Sequence, residues 1–179
     1  MDYTEKTISS KPIFKGRVIE VQVDTVTLPN GGESTRELIR HPGGVGIIAV
    51  DEQNRVPMVR QYRKAVEELV LEIPAGKLEW GENPLECGIR ELEEEAGLIA
   101  GKMTHLGEYY PTPGYCGERI NIYLATDLRQ SRQHLDQDEF LDVAFYDLEA
   151  LYHMVLQNQI HDMKTAIAIL KTRALKKQS

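Results

Sequence analysis

Residues 76–98, GKLEWGENPLECGIRELEEEAGL, decide how the rest of the chain is interpreted. They join a glycine-containing loop to a predicted helix that carries three close carboxylates, Glu91, Glu94 and Glu95. Residues four apart on a helix are neighbours, and like charges at that spacing destabilise a helix by roughly 0.2–0.5 kcal/mol per pair. A bound cation relieves this repulsion, and carboxylate oxygens favour magnesium or manganese. The stretch therefore predicts a divalent metal site.

The helix of this stretch has clear boundary signals. Asn83 is a candidate N-cap, Pro84 suits the first helical position, and Gly97 stands where the helix is expected to end. Apolar residues at spacings of four, three and four form one stripe: Leu85, Ile89, Leu92 and Ala96. We predict that this stripe is the buried face of the helix and that the three carboxylates point away from it.

Composition limits the class of protein. The chain has 179 residues, of which 41% are hydrophobic and 27% charged, which suits one globular domain with a small appendage. A net charge of −7 argues against a nucleic-acid partner, because phosphate backbones require clustered lysine and arginine. No signal-peptide pattern and no membrane-length apolar run is found, so we expect no membrane partner. The two cysteines, Cys87 and Cys116, fit no zinc pattern, which favours a cytoplasmic protein.

The first 40 residues predict a small antiparallel sheet. Residues 13–28 alternate apolar and polar as two strands or one bent strand, a turn follows at 29–32, and 35–40 returns as a strand. So short a sheet has little core of its own and must pack on the main domain or on another subunit. We therefore divide the chain into an N-terminal extension, 1–40, and a main domain, 41–179.

The main domain mixes strands with helices, which predicts the α/β class. Strands are expected at 45–50, 56–62, 65–73, 106–110, 120–125 and 140–146. Two helices close the chain, 148–157 and 163–176, with Asp147 and Asp162 as candidate N-caps.

Residues 76–98 resemble the Nudix box at each of its defined positions: Gly76, Glu82, Arg90-Glu91-Leu92, Glu94-Glu95 and Gly97-Leu98. The resemblance implies a Nudix fold, which is an α/β/α sandwich around a mixed sheet, here with the small antiparallel extension before it. It also implies hydrolysis of a nucleoside diphosphate linked to another group, using magnesium with manganese as a possible substitute. Such chemistry needs a metal, because the diphosphate repels hydroxide and metal-bound water has a lowered pKa.

Position within the box implies a role for each polar residue. Glu91 and Glu95 are expected to be the main metal ligands, and Glu94 assists directly or through water. Glu82 is expected in the metal shell or in its hydrogen-bond network. Arg90 is expected to pair with the box carboxylates, so Glu94 and Arg90 count among the catalytic residues.

Features outside the box are similar to the ADP-ribose pyrophosphatase subfamily. Pro113 lies close to the marker proline of that subfamily, and with Gly114 and Glu118 it resembles the substrate loop. Residues 61–63, QYR, resemble a strand end whose arginine, here Arg63, meets a substrate phosphate.

The same resemblance implies two further features. The backbone carbonyl just before the box, here that of Ala75, is an additional metal ligand. The subfamily forms homodimers that exchange the N-terminal sheet, so that Arg36, or alternatively Arg40, reaches the substrate of the partner subunit.

A general base is still needed, and the subfamily takes it from an acidic loop well after the box. Glu139 aligns best with that base, and Asp136 and Asp138 are the alternatives. A solvated acidic loop explains these three residues equally well, just as a solvated helix face is the plain alternative for the box carboxylates.

Other candidates also have plain interpretations. Arg63 can pair with a surface carboxylate such as Glu67, and Arg36 can be an ordinary strand-edge charge. Cys116 is expected to be a small residue that fills its loop. Trp80 either packs within the loop of the box or touches a ligand.

These residues together predict magnesium-dependent hydrolysis of ADP-ribose to AMP and ribose 5-phosphate by a cytoplasmic homodimer. One alternative is a pyrophosphatase for another nucleoside diphosphate sugar, such as GDP-mannose. The other is a non-catalytic Nudix module that senses such ligands, which the complete set of box glutamates disfavours.

Overall fold

The computed structural model of the protein describes residues 2–135 and 139–177. Within these residues the chain forms two compact units, one from residues up to Gly43 together with Tyr110–Arg119, and one from Gly44–Tyr109 together with the residues from Ile120 onward. No helix in the described ranges is long and apolar enough to cross a membrane.

The first unit contains an antiparallel sheet in the order β1-β2-β3. Its strands are β1 (Lys6–Lys15), β2 (Glu20–Thr27) and β3 (Glu33–Arg40). The turn between β2 and β3 places Gly31 at φ 85°, a conformation that glycine adopts without steric cost. The antiparallel sheet predicted for the N-terminal residues is confirmed, although β1 begins seven residues before the predicted position, at Lys6 instead of 13.

The second unit contains a mixed sheet in the order β7-β4-β9-β8. Its strands are β4 (Gly44–Ala49), β7 (Ala75–Lys77), β8 (Leu98–Tyr109) and β9 (Ile120–Gln130). β4 pairs in parallel with β9 and antiparallel with β7. Every residue of β4 is buried, as expected for a continuous apolar strand at the centre of a sheet.

A smaller antiparallel sheet in the same unit has the order β10-β5-β6. It consists of β5 (Arg55–Arg63), β6 (Glu68–Glu72) and β10 (Leu141–Asp147). β6 begins later than predicted, because Glu67 has a positive φ of 57° and belongs to the turn after β5.

Three helices complete the described part of the second unit: α1 (Pro84–Ala96), α2 (Leu148–Leu156) and α3 (Met163–Lys176). The three predicted N-caps are confirmed, since the side chains of Asn83, Asp147 and Asp162 each accept a hydrogen bond from the first turn. Gly97 ends α1 in the left-handed conformation, with φ 63°.

Apolar side chains on the two faces of β4 belong to two separate core clusters. Ile47 packs under α1 with Cys87 and Leu92, whereas Ile48 packs with residues of α2 and α3 such as Leu151 and Ile169. The sheet is therefore covered by helices on both faces, which is the predicted α/β/α sandwich.

The predicted orientation of α1 is partly wrong, because Leu92 of the predicted stripe is buried at 0% but its first two members are not. Leu85 and Ile89 are 37% and 45% exposed, whereas the Glu91 and Glu95 carboxylates are on the buried side of the helix, at 8% and 2%. The helix approaches β4 through Gly88, where an added Cβ would lie 3.1 Å from Val45. Close approach at this small residue turns the acidic side of the helix inward, although apolar spacing alone favours the other side.

Candidate active site

The short strand β7 lies against the second half of α1. The Ala75 amide donates a hydrogen bond to Glu95 Oε2 at 2.9 Å. A Cβ built on Gly76 would lie 2.0 Å from Glu91 Oε1, so only glycine leaves room for this carboxylate. The first glycine of the box is therefore explained by the close approach of a glutamate to the backbone.

The two inward-facing carboxylates, Glu91 and Glu95, both have raised pKa values. Burial raises the pKa of Glu95 to about 8, and the charges of Glu91 and Glu139 add to this effect. Burial also raises the pKa of Glu91, against the opposing effect of Arg90. Two buried carboxylates that oppose each other's ionisation are the arrangement that a bound cation stabilises.

Arg90 contacts three of the box carboxylates. Its guanidinium lies 2.6 Å from Glu94, 2.9 Å from Glu91 and 3.6 Å from Glu82. Glu82 also accepts a hydrogen bond from the Glu79 amide at 2.8 Å, which closes the loop before α1. Arg90 therefore links the loop of the box to the helix.

The donor atoms around β7 fit a hard divalent cation. Glu91, Glu95 and the adjacent backbone carbonyl of Ala75 offer oxygen ligands of the kind that magnesium takes. In residues 2–135 and 139–177, no three His, Cys, Asp or Glu side chains form a group able to hold a metal. Two of the box carboxylates, Glu82 and Glu94, contact the guanidinium of Arg90 instead.

Glu139, the predicted general base, is the residue just before Phe140 and β10. It is half-buried, and its charge helps to raise the pKa of both Glu91 and Glu95, so its carboxylate lies within electrostatic reach of the pair. The alternative bases, Asp136 and Asp138, lie outside the described residues.

Arg63 stands at the end of β5 and has a different partner from the one considered above. Its Nε and Nη2 donate to the two carboxylate oxygens of Glu72 at 2.6 and 2.9 Å. The pairing of Arg63 with Glu67 is wrong, since Glu67 contacts Lys64 in the intervening turn. Arg63 keeps 41% of its side chain exposed.

The carboxylate of Glu72 was missed by the sequence analysis. It is 2% exposed and also contacts the ammonium group of Lys164 in the first turn of α3. A signal was present, because Glu72 is the one charge in the apolar run 69–73, LVLEI, and a buried charge requires a partner.

Hydrogen bonds hold the segment between Glu72 and the box in place. The Ile73 amide donates to Thr165 Oγ1 at 2.9 Å, and the Pro74 carbonyl accepts from the Ile47 amide at 2.8 Å. Together with the bond from Ala75 to Glu95, these contacts position β7, whose Ala75 carbonyl is the expected metal ligand.

The remaining substrate-binding candidates belong to the first unit. Arg36 Nε donates a hydrogen bond to the Glu5 carboxylate at 2.8 Å, and Arg36 Nη2 contacts the same carboxylate. Glu118 lies 3.6 Å from His41 Nδ1. Pro113 and Gly114 lie in a turn closed by a 3.0 Å hydrogen bond from the Cys116 amide to Thr112, and Gly114 has open space beside it.

Cys116 and Trp80 differ in exposure. Cys116 is half-buried with a free thiol, and its backbone bridges to Ile39 of β3, as a loop-filling residue does. Trp80 is 61% exposed, so packing within the loop does not account for it.

Family models match nearly the whole chain. A NUDIX domain matches residues 40–167, and a nucleoside diphosphate sugar hydrolase N-terminal domain matches residues 5–39. The protein therefore belongs to the Nudix family of hydrolases, and the predicted family and fold are confirmed.

Individual relatives are similar along most of their length. The chain is 44% identical to an ADP-ribose pyrophosphatase of Bacillus subtilis, covering 92% of this chain and 90% of the relative. It is also 44% identical to a methanol dehydrogenase activator of Bacillus methanolicus, covering 93% and 91%. An ADP-ribose pyrophosphatase of Mycobacterium tuberculosis is 34% identical, covering 95% and 84%.

One solved structure shows the same fold. The crystal structure of an ADP compounds hydrolase superposes with a TM-score of 0.84 at 22% identity, covering 98% of this chain and 96% of the other.

Proposed function

We propose that this protein hydrolyses the diphosphate bond of ADP-ribose to give AMP and ribose 5-phosphate. The observation that carries the proposal is the buried Glu91–Glu95 pair, which faces the backbone of β7 at the position expected for a Nudix metal site. The choice of substrate is supported by 44% identity to an ADP-ribose pyrophosphatase over nine-tenths of both chains.

The metal in this proposal is magnesium, with manganese as a substitute. Glu91, Glu95 and the Ala75 carbonyl would hold it, with Glu82 and Glu94 as further candidate ligands. A divalent cation bound there offsets the charge of the diphosphate and lowers the pKa of the attacking water.

Other residues of the chain bind the substrate and accept the proton. Glu139 accepts the proton of the water that attacks phosphorus, because its carboxylate lies near the Glu91–Glu95 pair. Arg63 donates hydrogen bonds to a substrate phosphate from the exposed part of its guanidinium. Arg90 orients the box carboxylates in the resting enzyme.

The working form in this proposal is a homodimer whose N-terminal extension, 1–40, is the dimerisation element. All ten residues of β1 are exposed, including Ile8, Ile13 and Phe14 at more than half of their surface. Three apolar side chains so exposed on an edge strand form a surface that another chain can cover, and a second copy supplies that cover. Exchange of the sheet then brings Arg36 to the partner's substrate.

The proposed substrate loop contains Pro113, Gly114 and Glu118. The space beside Gly114 is open, so a ligand can approach its backbone closely. A cytoplasmic location completes the proposal and is supported by the two free thiols, Cys87 and Cys116.

A direct assay tests the substrate. The purified protein is mixed with ADP-ribose and magnesium, and AMP is measured by chromatography. GDP-mannose and other nucleoside diphosphate sugars are run in parallel, because the N-terminal family match extends to nucleoside diphosphate sugar hydrolases as a class. Faster turnover of another sugar would replace ADP-ribose, and no turnover of any would leave the sensor interpretation. Light scattering checks the mass of the dimer.

A further inference from the structure

Two buried charges beside Arg63 have no part in the mechanism described so far. Glu72 ends β6 at 2% exposure, and the side chain of Lys164 in α3 is 12% exposed. Burying a charge is unfavourable unless it is paired and hydrogen-bonded, so both groups depend on their partners. Those partners connect them directly to Arg63.

The groups form a chain of alternating charge from β5 to α3. Arg63 meets Glu72 through two hydrogen bonds, Glu72 contacts Lys164, and Lys164 lies 3.1 Å from Asp162. Asp162 also accepts hydrogen bonds from Thr165 as the N-cap of α3. The dipole at the helix N-terminus stabilises its negative charge as well. The Asp162 charge is thus shared between α3 and Lys164.

The pairing leaves one edge of Arg63 available. Its hydrogen bonds to residues 2–135 and 139–177 use Nε and Nη2 only. A guanidinium presents five N–H groups in one plane, so a two-point contact with Glu72 fixes that plane and leaves the Nη1 side for another anion. That side chain is still 41% exposed.

Charge sharing explains why the arginine can still attract an anion. Paired with Glu72 alone, Arg63 would be neutralised. Because Lys164 contacts the same carboxylate, Arg63, Glu72 and Lys164 together carry one excess positive charge. Asp162 brings the formal sum of the four groups to zero, but its charge is also stabilised by the N-terminus of α3, so it offsets Lys164 only in part.

We propose that Glu72 and Lys164 are positioning residues for the substrate phosphate that Arg63 binds. Glu72 holds the guanidinium plane, and Lys164 keeps positive charge at Arg63 by sharing the carboxylate. The inference rests on the proposed function, since it takes Arg63 to be a phosphate-binding residue.

Two substitutions separate the two roles. Glu72→Gln keeps the size of the side chain but loses the two-point acceptor, and Lys164→Met removes a charge while Glu72 still holds the arginine. We expect the KM for ADP-ribose to rise about tenfold in Glu72→Gln, since charge-assisted pairs lose orientation as well as strength when broken. In Lys164→Met we expect a smaller rise, of about threefold, with a weaker dependence on salt. Lys164→Arg should restore the wild-type KM.

The role of Arg63 is tested by coupling. In an Arg63→Met background, adding Glu72→Gln should change KM no further, because a positioning residue acts only through the residue that it positions. The matched controls are Lys64→Met and Glu67→Gln, which break an exposed ion pair in the same β5–β6 hairpin and should leave KM unchanged.

Each variant is measured in two ways, by kinetics with magnesium and by calorimetric titration of ADP-ribose into the metal-free protein. Thermal unfolding verifies folding, and if Glu72→Gln does not fold, Lys164→Met and Lys164→Arg carry the test. If the wild type neither binds nor hydrolyses ADP-ribose, the proposed function fails and the positioning role fails with it. If the wild type is active, unchanged KM and affinity in the variants, or an equal Glu72→Gln effect with and without Arg63, overturn the positioning role alone.

Discussion

Glu72 and Glu95 are two carboxylates of the same unit that are equally buried, at 2% exposure each. Their pKa values nevertheless shift in opposite directions. Burial works to raise the pKa of Glu72, but hydrogen bonds and charges from Arg63 and Lys164 outweigh it and leave the pKa below 4.5. Burial raises the pKa of Glu95 to about 8, and its carboxylate neighbours add to the shift.

The contrast separates a scaffold from a binding site. At Glu72 the chain itself supplies the balancing cations, Arg63 and Lys164, so this carboxylate needs no bound ion. At Glu95 the backbone supplies one hydrogen bond and Arg63 contributes a favourable charge, and these do not outweigh burial, so a proton or a bound cation must supply the remaining compensation. Substitution at the two positions should therefore have opposite consequences for stability and activity.

The largest effect is expected for Glu95→Gln. Loss of a direct ligand should reduce magnesium-dependent turnover of ADP-ribose at least about a thousandfold, or roughly 4 kcal/mol in the barrier. The melting temperature without metal should not fall, because the variant removes an uncompensated buried carboxylate and keeps an oxygen for the Ala75 amide. Full turnover in this variant would disprove the ligand assignment.

Glu72→Gln is expected to act first on stability. It leaves Arg63 and Lys164 without their shared carboxylate, and loss of a partner from a buried pair costs about 3–5 kcal/mol, reduced here to roughly 2–4 because Arg63 is partly exposed. Urea denaturation of the metal-free protein measures the loss. A change within about 0.5 kcal/mol, the range of ordinary surface substitutions, would show that the network is not a scaffold.

Gly76→Ala tests the steric part of the metal site. The new Cβ would lie 2.0 Å from Glu91 Oε1 and must push that carboxylate aside. We expect turnover to fall about tenfold or more, as for a ligand that is displaced but not removed. Gly32→Ala is the control, because its Cβ would meet only side-chain atoms, of Asn30 at 3.2 Å and of Leu28 at 3.9 Å, in an exposed turn. Equal activity of the two variants would contradict this account.

The last prediction concerns the pH dependence of stability without metal. Between pH 4.5 and about 8 the folded state binds more protons at Glu95 than the unfolded state does, so stability should decline as pH rises through that window. Glu72 has the opposite sign, because its lowered pKa favours folding above pH 4.5 and this contribution is lost as pH falls towards the folded pKa.

Unfolding curves at several pH values measure both slopes. Glu95→Gln should remove the decline at neutral pH, and Glu72→Gln should remove the loss in acid. A Glu95→Gln variant that keeps the decline would show that another group causes it.

Local signals in the sequence predicted much of this protein. The bounds of α1 follow from Asn83, Pro84 and Gly97, because capping and glycine conformations depend on residues a few positions apart. The spacing of the box likewise identifies the family and its carboxylates, and alternation identifies most strands. These features require no knowledge of how distant segments meet.

Contacts between distant segments decided the rest. Apolar spacing favoured the wrong face of α1, because the small Gly88 and the β7 backbone, which sequence periodicity does not weigh, brought Glu91 and Glu95 inward. Glu72 depends on Lys164, which is 92 positions away, so no local pattern pairs them. The sequence alone determined which carboxylates the chain carries. Only the tertiary structure decided which of them it neutralises and which it leaves for a cation, because burial and long-range partners set the free energy of each charge.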